Sequence, residues 1–101
     1  MIKVNIIKKN NDIEKIIMSG HAEYADYGKD IVCSAASSIA ITTVNAILKI
    51  NDKAISFSND DDLVINILSN DDITKKLINN MIDLLEELES QYKKNIKIII
   101  K

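Results

Sequence analysis

The chain has 101 residues, of which 47% are hydrophobic and 28% charged, as expected for one soluble globular domain covering residues 1–101. Its formal net charge is −2, all 13 basic residues are lysines, and aromatic residues make up 4%. Nucleic-acid readout usually relies on arginine forks and aromatic stacking platforms. The composition therefore predicts no direct nucleic-acid partner.

Three features of the sequence indicate a cytoplasmic protein. No uninterrupted apolar run approaches the roughly 20 residues of a membrane span, so no membrane partner is predicted. Residues 1–5 alternate like a strand and lack the apolar core of a signal peptide. The single cysteine excludes an internal disulfide, which fits a reducing compartment.

The first third of the chain predicts a β-hairpin followed by a loop and a helix. Residues 2–6 and 13–19 read as strands around a turn rich in asparagine and aspartate. Positions 22–30 mix polar, aromatic and glycine residues and are predicted as a loop. Apolar residues then recur every three or four positions from Ile31 to Ile50, which indicates a helix with Asp30 as its N-cap.

The rest of the chain repeats the pattern of hairpin and helix. A second hairpin is predicted from residues 53–58 and 63–68. A second helix is predicted at residues 73–92, with an N-cap region at 70–72 and Lys93 and Lys94 at its C-terminal end. Residues 96–100 predict a last strand. The order ββαββαβ predicts an α+β fold, a two-layer sandwich of a mostly antiparallel or mixed sheet with two helices on one face.

The only histidine and the only cysteine flank the predicted loop. His21 follows a strand, and Cys33 is predicted in the first turn of a helix. The helix dipole and unbonded amides there lower the pKa of a thiol, and a nearby imidazole can accept its proton. The same amides could bind an oxyanion. This arrangement predicts a Cys–His dyad for acyl transfer.

Each of these residues also has a purely structural interpretation. Cys33 could be a small core residue, and the histidine a solvated side chain. Asp30 could cap the helix or orient His21, and Ser37 could hydrogen-bond in the site or to the Cys33 carbonyl. The acidic run at 60–62 lacks the glycine and distal glutamate of a calcium loop, so a solvated turn and no metal site are predicted.

The motif around these residues resembles the signature of the ribosomal-processing cysteine proteases of bacteria, the Prp family. The matching segments are Gly20-His21-Ala22 and Gly28-Lys29-Asp30-Ile31-Val32-Cys33, followed by Ala35 and Ser37. The likeness extends over essentially the whole chain. Ser34 and Ala36 replace the alanine and valine that the family commonly has, which puts the shape of the pocket in doubt.

The resemblance implies a function and a set of site residues. Family members are cytoplasmic homodimers that need no cofactor and remove an N-terminal extension from large-subunit ribosomal protein L twenty-seven. By analogy, Cys33 is the nucleophile and His21 the general base and then acid. Asp30 and Ser37 are supporting residues, and Gly20 and Gly28 are hinges of a loop, residues 22–29, that orders around an extended peptide.

Two other functions remain open from the sequence. One is a non-catalytic ribosome-associated assembly or binding module in which Cys33 is a buried structural residue. The other is a thiol-dependent hydrolase of small molecules, which the length of the loop disfavours. The last strand, residues 96–100, has apolar residues on both faces at one point and is a candidate dimer surface.

Overall fold

The computed structural model describes residues 1–20 and 27–101, with residues 27–30 described by their backbone alone. Within these residues the chain forms five strands and two helices in the predicted order ββαββαβ. Their bounds are β1 Ile2–Lys9, β2 Asp12–Ser19, α1 Tyr27–Ile50, β3 Ile55–Asn59, β4 Leu63–Ile67, α2 Asp72–Gln91 and β5 Ile96–Ile100.

The strands form one mixed sheet in the order β3-β4-β2-β1-β5. Consecutive strands of each hairpin pair antiparallel, and β2 also pairs antiparallel with β4. After α2 the chain returns to lie parallel to β1, with Ile2 opposite Ile96 and Ile6 opposite Ile100. The predicted α+β fold is therefore confirmed, with a single parallel pair in the described sheet.

One face of the sheet forms the core with both helices. Most apolar strand residues on this face, such as Val4, Ile16 and Ile65, are fully buried, and they pack with apolar residues of α1 and α2 into one cluster. Burying each such isoleucine, leucine or methionine side chain contributes roughly 1.5–3 kcal/mol. The opposite face carries half-buried apolar residues among lysine, asparagine and serine, namely Ile7, Ile17, Val64 and Ile99.

Helix α1 begins at Tyr27, four residues before the predicted start at Ile31. Asp30 is therefore the fourth residue of the helix, and its prediction as the N-cap is wrong. Gly28 lies in the first turn rather than in a loop. A glycine in a helix costs up to about 1 kcal/mol relative to alanine, because its backbone loses more conformational freedom on folding.

By length and composition alone, α1 could cross a membrane. Its segment Ile31–Ile50 has 20 residues and a mean hydropathy of 1.8, so the prediction that no segment approaches this length needs correction. Core helices of globular domains pass the same test. Here Val32, Ala36 and Val44 are at most 1% exposed within the core cluster, so one face of α1 packs into the core of the domain.

Helix α2 begins where the sequence predicts and ends slightly earlier. Asp71 is its N-cap, with an extended backbone and a side chain that accepts a hydrogen bond from the Thr74 amide. The helix ends at Gln91, and the amide of the C-cap Tyr92 donates to the Leu88 carbonyl. The predicted lysines at 93 and 94 follow this cap and lie outside the last helical turn.

A side chain of α2 closes part of the outer edge of the sheet. The Ile98 amide of β5 donates to the Glu89 carboxylate at 2.8 Å, in a partly buried position. Unpaired amides at a sheet edge can template the addition of another strand. Glu89 thus fixes α2 to β5 and occupies one of these donors.

Candidate active site

The candidate site lies at the end of the sheet where α1 begins, which we call the Cys33 end. The strand residues Ile2, Ser19, Leu63 and Ile96 lie at this end, because Lys3 pairs with Ser19, Met18 with Leu63, and Ile2 with Ile96. Strand β2 ends here at Ser19, and the seven residues between it and α1, positions 20–26, include His21. His21 and positions 22–26 of the predicted loop lie outside the described residues.

Gly20 ends β2 in a conformation that only glycine adopts easily. Its φ is +83°, and a Cβ built on it would lie 2.5 Å from the Met1 carbonyl oxygen. Both the left-handed backbone and this close approach disfavour any side chain. Gly20 therefore lets the chain turn tightly against its own N-terminal strand as it leaves β2. The hinge role of Gly20 stays a prediction.

Cys33 is the seventh residue of α1, so its predicted place in the first turn is wrong. It lies about 9 Å along the helix axis from Tyr27. The helix dipole acts mainly within the first turn, and the amide of a seventh residue is bonded within the helix. Unbonded helix-start amides therefore do not surround this thiol as the sequence led us to expect.

The exposure of Cys33 distinguishes it from its neighbours in α1. Val32 and Ala36 are 0% exposed, whereas Cys33 is half-buried and packs at the border of the core. A purely structural core cysteine would be expected to share the burial of Val32. Cys33 as a residue is instead partly exposed, and a reacting thiol needs such an exposed position.

Helical spacing aligns the supporting positions with the cysteine. Asp30 precedes Cys33 by three residues and Ser37 follows it by four, so the three backbone positions form one stripe along α1. Ser37 is half-buried, whereas the adjacent Ser38 is exposed. The stripe leads from the start of α1 through Cys33 to Ser37.

The acidic run Asp60-Asp61-Asp62 forms an exposed bend between β3 and β4. Within residues 1–20 and 27–101, no group of three histidine, cysteine or acidic side chains could hold a metal ion. The solvated turn predicted for this run therefore fits its exposure.

Sequence reasoning missed the four residues that open α1. It treated Gly28 as a helix breaker and placed the N-cap at Asp30. A second aspartate, Asp26, stands immediately before Tyr27 in the sequence, and aspartate is among the residue types preferred before a helix. That residue type was the signal that could have moved the predicted boundary.

Comparison with known proteins identifies the family. Residues 1–97 match the family model described as Cysteine protease Prp. Over 103 aligned residues the chain is 30% identical to the ribosomal processing cysteine protease Prp of Staphylococcus aureus, and the match covers 97% of each chain.

Solved structures of the S. aureus protease share the fold. Its complex with a substrate peptide matches with a TM-score of 0.94 at 29% identity, covering 100% of both chains. Its complex with a covalently linked product peptide matches with a TM-score of 0.87 at 30% identity, again over 100% of both chains. The chain therefore belongs to the cysteine protease Prp family, and the prediction that it is a cysteine protease is confirmed.

Proposed function

We propose that this chain is an endopeptidase that removes the N-terminal extension of bacterial large-subunit ribosomal protein L twenty-seven, using Cys33 and His21 as a dyad. One observation carries the assignment of the nucleophile. Cys33 is the only cysteine in a chain that belongs to a cysteine protease family, and it is half-buried at the border of the core. His21 is likewise the only histidine.

The proposed reaction passes through a thioester. His21 takes the proton of Cys33, and the Sγ attacks the scissile carbonyl carbon to form a tetrahedral intermediate. Collapse of the intermediate breaks the C–N bond, and His21 gives its proton to the leaving amine. A water molecule, deprotonated by His21, then attacks the thioester and releases the carboxylate product and the thiol. The S. aureus relative with its covalently linked product peptide supports covalent catalysis.

The start of α1 limits where the oxyanion can be bound. The amides of Cys33 and of the residues after it are used within the helix. The amides at 27–29 open the helix, and their i−4 positions precede Tyr27, so they have no acceptor within α1. We therefore assign the oxyanion donors to positions 27–29, in place of the first turn of a helix that starts at Ile31, as the sequence predicts.

The supporting residues keep distinct proposed roles. Since Asp30 is not the N-cap, its remaining proposed role is to orient His21. Ser37 is proposed to hydrogen-bond in the site. Of the predicted loop at 22–29, positions 27–29 belong to α1 and the others lie outside the described residues. Gly28 would act as a hinge by letting the first turn of α1 open when a peptide enters.

The test is cleavage of the full-length precursor of L twenty-seven from the same organism. We expect the Cys33→Ala and His21→Ala variants to lose at least about 10⁴-fold in kcat/KM, since the groups of a catalytic unit fail together. Ser38→Ala is the matched control in α1 because this serine is exposed, and it should cleave normally. Cleavage that persists in Cys33→Ala would refute the dyad.

Thiol labelling tests the alternative of a non-catalytic ribosome-associated module. A thiol paired with an imidazole should react with iodoacetamide at pH about 6–7, because its thiolate is already populated there. His21→Ala should slow the reaction severalfold at this pH. Equal rates in the two proteins, with no cleavage of the precursor, would favour the non-catalytic module. Turnover of simple thioesters without cleavage of the precursor would instead favour a small-molecule hydrolase.

The proposal includes a cytoplasmic homodimer that acts without a cofactor on a peptide segment of the ribosomal protein precursor. The half-buried apolar residues on the face of the sheet away from the helices support a second copy as partner. In β5, Ile96 is buried, Ile99 is half-buried on that outer face and Ile100 is 55% exposed, so the apolar surface of the predicted dimer strand lies towards its end. Sedimentation equilibrium measures the oligomeric state directly, and a monomer at micromolar concentration would contradict a stable dimer.

A further inference from the structure

A cavity of about 810 Å³ lies at the end of the sheet opposite Cys33, which we call the cavity end. Its walls come from the β1–β2 turn, the turn after α1, the connection from β4 to α2, and the first turns of α2. Cys33 and Ile50 are 17 helical residues apart, so the cavity lies about 25 Å from the candidate active site. The proposed protease reaction uses none of its residues.

The cavity has an excess of positive charge in a chain whose net charge is −2. Four lysines from three separate segments line it, namely Lys8, Lys9, Lys53 and Lys75, against two acidic side chains, Asp12 and Glu14. Lys75 pairs with Asp12 at 3.7 Å. Among residues 1–20 and 27–101, no carboxylate lies within 4 Å of the ammonium groups of the other three lysines. Their charges are therefore available to an anion.

The uncharged part of the lining combines amides with an apolar wall. Five asparagines and Ser69 supply hydrogen-bond donors and acceptors. Ile78 is buried, Ile13 and Ile67 are half-buried, and Leu68 is 65% exposed on the same cavity. Such a lining suits a ligand that has an anionic group and an apolar organic body.

Short-range hydrogen bonds and turn geometry fix the walls before any ligand enters. Asn10 and Asn11 hold left-handed conformations, with φ of 54° and 68°, in the tight turn between Lys9 and Asp12. The Asn51 side chain accepts from the Lys53 amide at 3.0 Å. The carboxylate of Asp71 anchors Ser69 beside the start of α2. A preformed site loses less entropy on binding.

We propose that this cavity binds a small organic phosphate. The lysines would contact the phosphate group, and Leu68 and the isoleucines of the apolar wall would contact the organic part of the ligand. Lysine is a common phosphate-binding residue that acts as a point charge. The volume lies within the 300–1,000 Å³ typical of small-molecule sites. The four lysines line a single cavity and do not form an extended basic strip along which a nucleic-acid backbone could bind. The chain also contains no arginine. A small ligand therefore fits this surface better than an RNA strand.

The experiment compares ADP, pyrophosphate and adenosine as probes, by calorimetric titration of the intact protein at low ionic strength. ADP should bind with a micromolar to millimolar Kd, more tightly than either pyrophosphate or adenosine. The double variant Lys8→Gln, Lys53→Gln should weaken both phosphate probes by about tenfold or more. Leu68→Ala should weaken ADP by about threefold and leave pyrophosphate unchanged.

The matched control is the double variant Lys93→Gln, Lys94→Gln, which removes two exposed lysines from the other end of the molecule. It should bind ADP like the wild type, and melting temperatures should show that every variant is folded. Absence of ADP binding, or an equal loss in the control, would overturn the proposal. A short RNA oligonucleotide that displaces ADP and binds more tightly would overturn it in favour of a nucleic-acid surface.

Discussion

The two helices begin at opposite ends of the sheet, and they begin in different ways. At the cavity end, α2 starts at a cap made by its own side chains, where Asp71 accepts from the amide of Thr74 at 2.8 Å and from its hydroxyl at 3.0 Å. At the Cys33 end, α1 starts directly after the segment that holds His21. The comparison separates a helix start used for stability from one connected to the proposed chemistry.

The residues with positive φ at the two ends of the sheet differ as well. Asn10 and Asn11 take positive φ in an exposed turn at the cavity end, where asparagine tolerates it. At the Cys33 end, Gly20 takes positive φ while its α-carbon faces the Met1 carbonyl at close range. Side chains are therefore tolerated in one left-handed turn and excluded from the other.

The largest expected effect is that of Gly20→Ala. The added methyl group would meet the Met1 carbonyl at 2.5 Å in a left-handed backbone. We expect a loss of about 2–4 kcal/mol in the free energy of unfolding, measured by urea titration. Gly28→Ala is the control, because Gly28 is helical, and it should leave stability unchanged or raise it by up to about 1 kcal/mol. Equal effects at both glycines would contradict the close packing at the Cys33 end.

Next in size is Asp71→Ala at the start of α2. Removing this side chain leaves the Thr74 amide and the Ser69 hydroxyl without their acceptor. The melting temperature should fall by about 5 °C while cleavage is retained. The control is Asp72→Ala, which removes an acidic side chain from the first turn but leaves the cap in place. It should lower the melting temperature by about 2 °C or less. If the two variants have the same melting temperature, the charge at the helix dipole, and not the capping hydrogen bond, stabilises the start of α2.

The same cap predicts a pH dependence. The hydrogen bond from Ser69, followed by those from the Thr74 amide and hydroxyl, holds the pKa of Asp71 below its usual 3.8. The unfolded chain therefore binds the proton more readily, and the stabilisation is complete above about pH 5. This stabilisation is lost as the pH falls below 3.8 and passes the lowered pKa that Asp71 has in the folded protein. In urea titrations, the stability difference between wild type and Asp71→Asn should shrink on acidification, and a constant difference would contradict the cap.

The smallest expected effect concerns Ser37→Ala, one turn after Cys33. If Ser37 hydrogen-bonds in the site, kcat/KM for the precursor should fall by about two- to tenfold with little change in stability. Ser38→Ala in the next position is exposed and should be neutral. Identical kinetics for the two variants would remove Ser37 from the proposed site.

Much of the fold could be predicted because local signals and burial agree. The alternating pattern of β1 and the N-cap at Asp71 each coincide with what the tertiary structure needs. The parallel pairing of β1 with β5 could not be predicted, since it depends on packing between segments far apart in sequence. The order of the strands in the sheet could not be predicted for the same reason.

The candidate site was less predictable than the fold around it. The identities of His21 and Cys33 were informative because both residue types are unique in the chain. The boundary of α1 was placed late because Gly28 and the mixed residues beside it resemble a loop. Because α1 starts earlier, Cys33 lies in the second turn, where the dipole and unbonded amides of the first turn do not activate it as predicted. A four-residue shift in one helix start was enough to change an electrostatic argument.

The parallel partner of β1 has a consequence for the way this protein is made. Strand β1 is an interior strand of the finished sheet, yet its partner β5 begins 94 residues later in the chain. During synthesis the β1–β2 hairpin can form early, but the other edge of β1 stays unpaired until β5 has left the ribosome. Closing so long a loop is slow, and an unpaired interior strand invites wrong pairing. The nascent chain should therefore depend on completing its last strand before it becomes safe from aggregation.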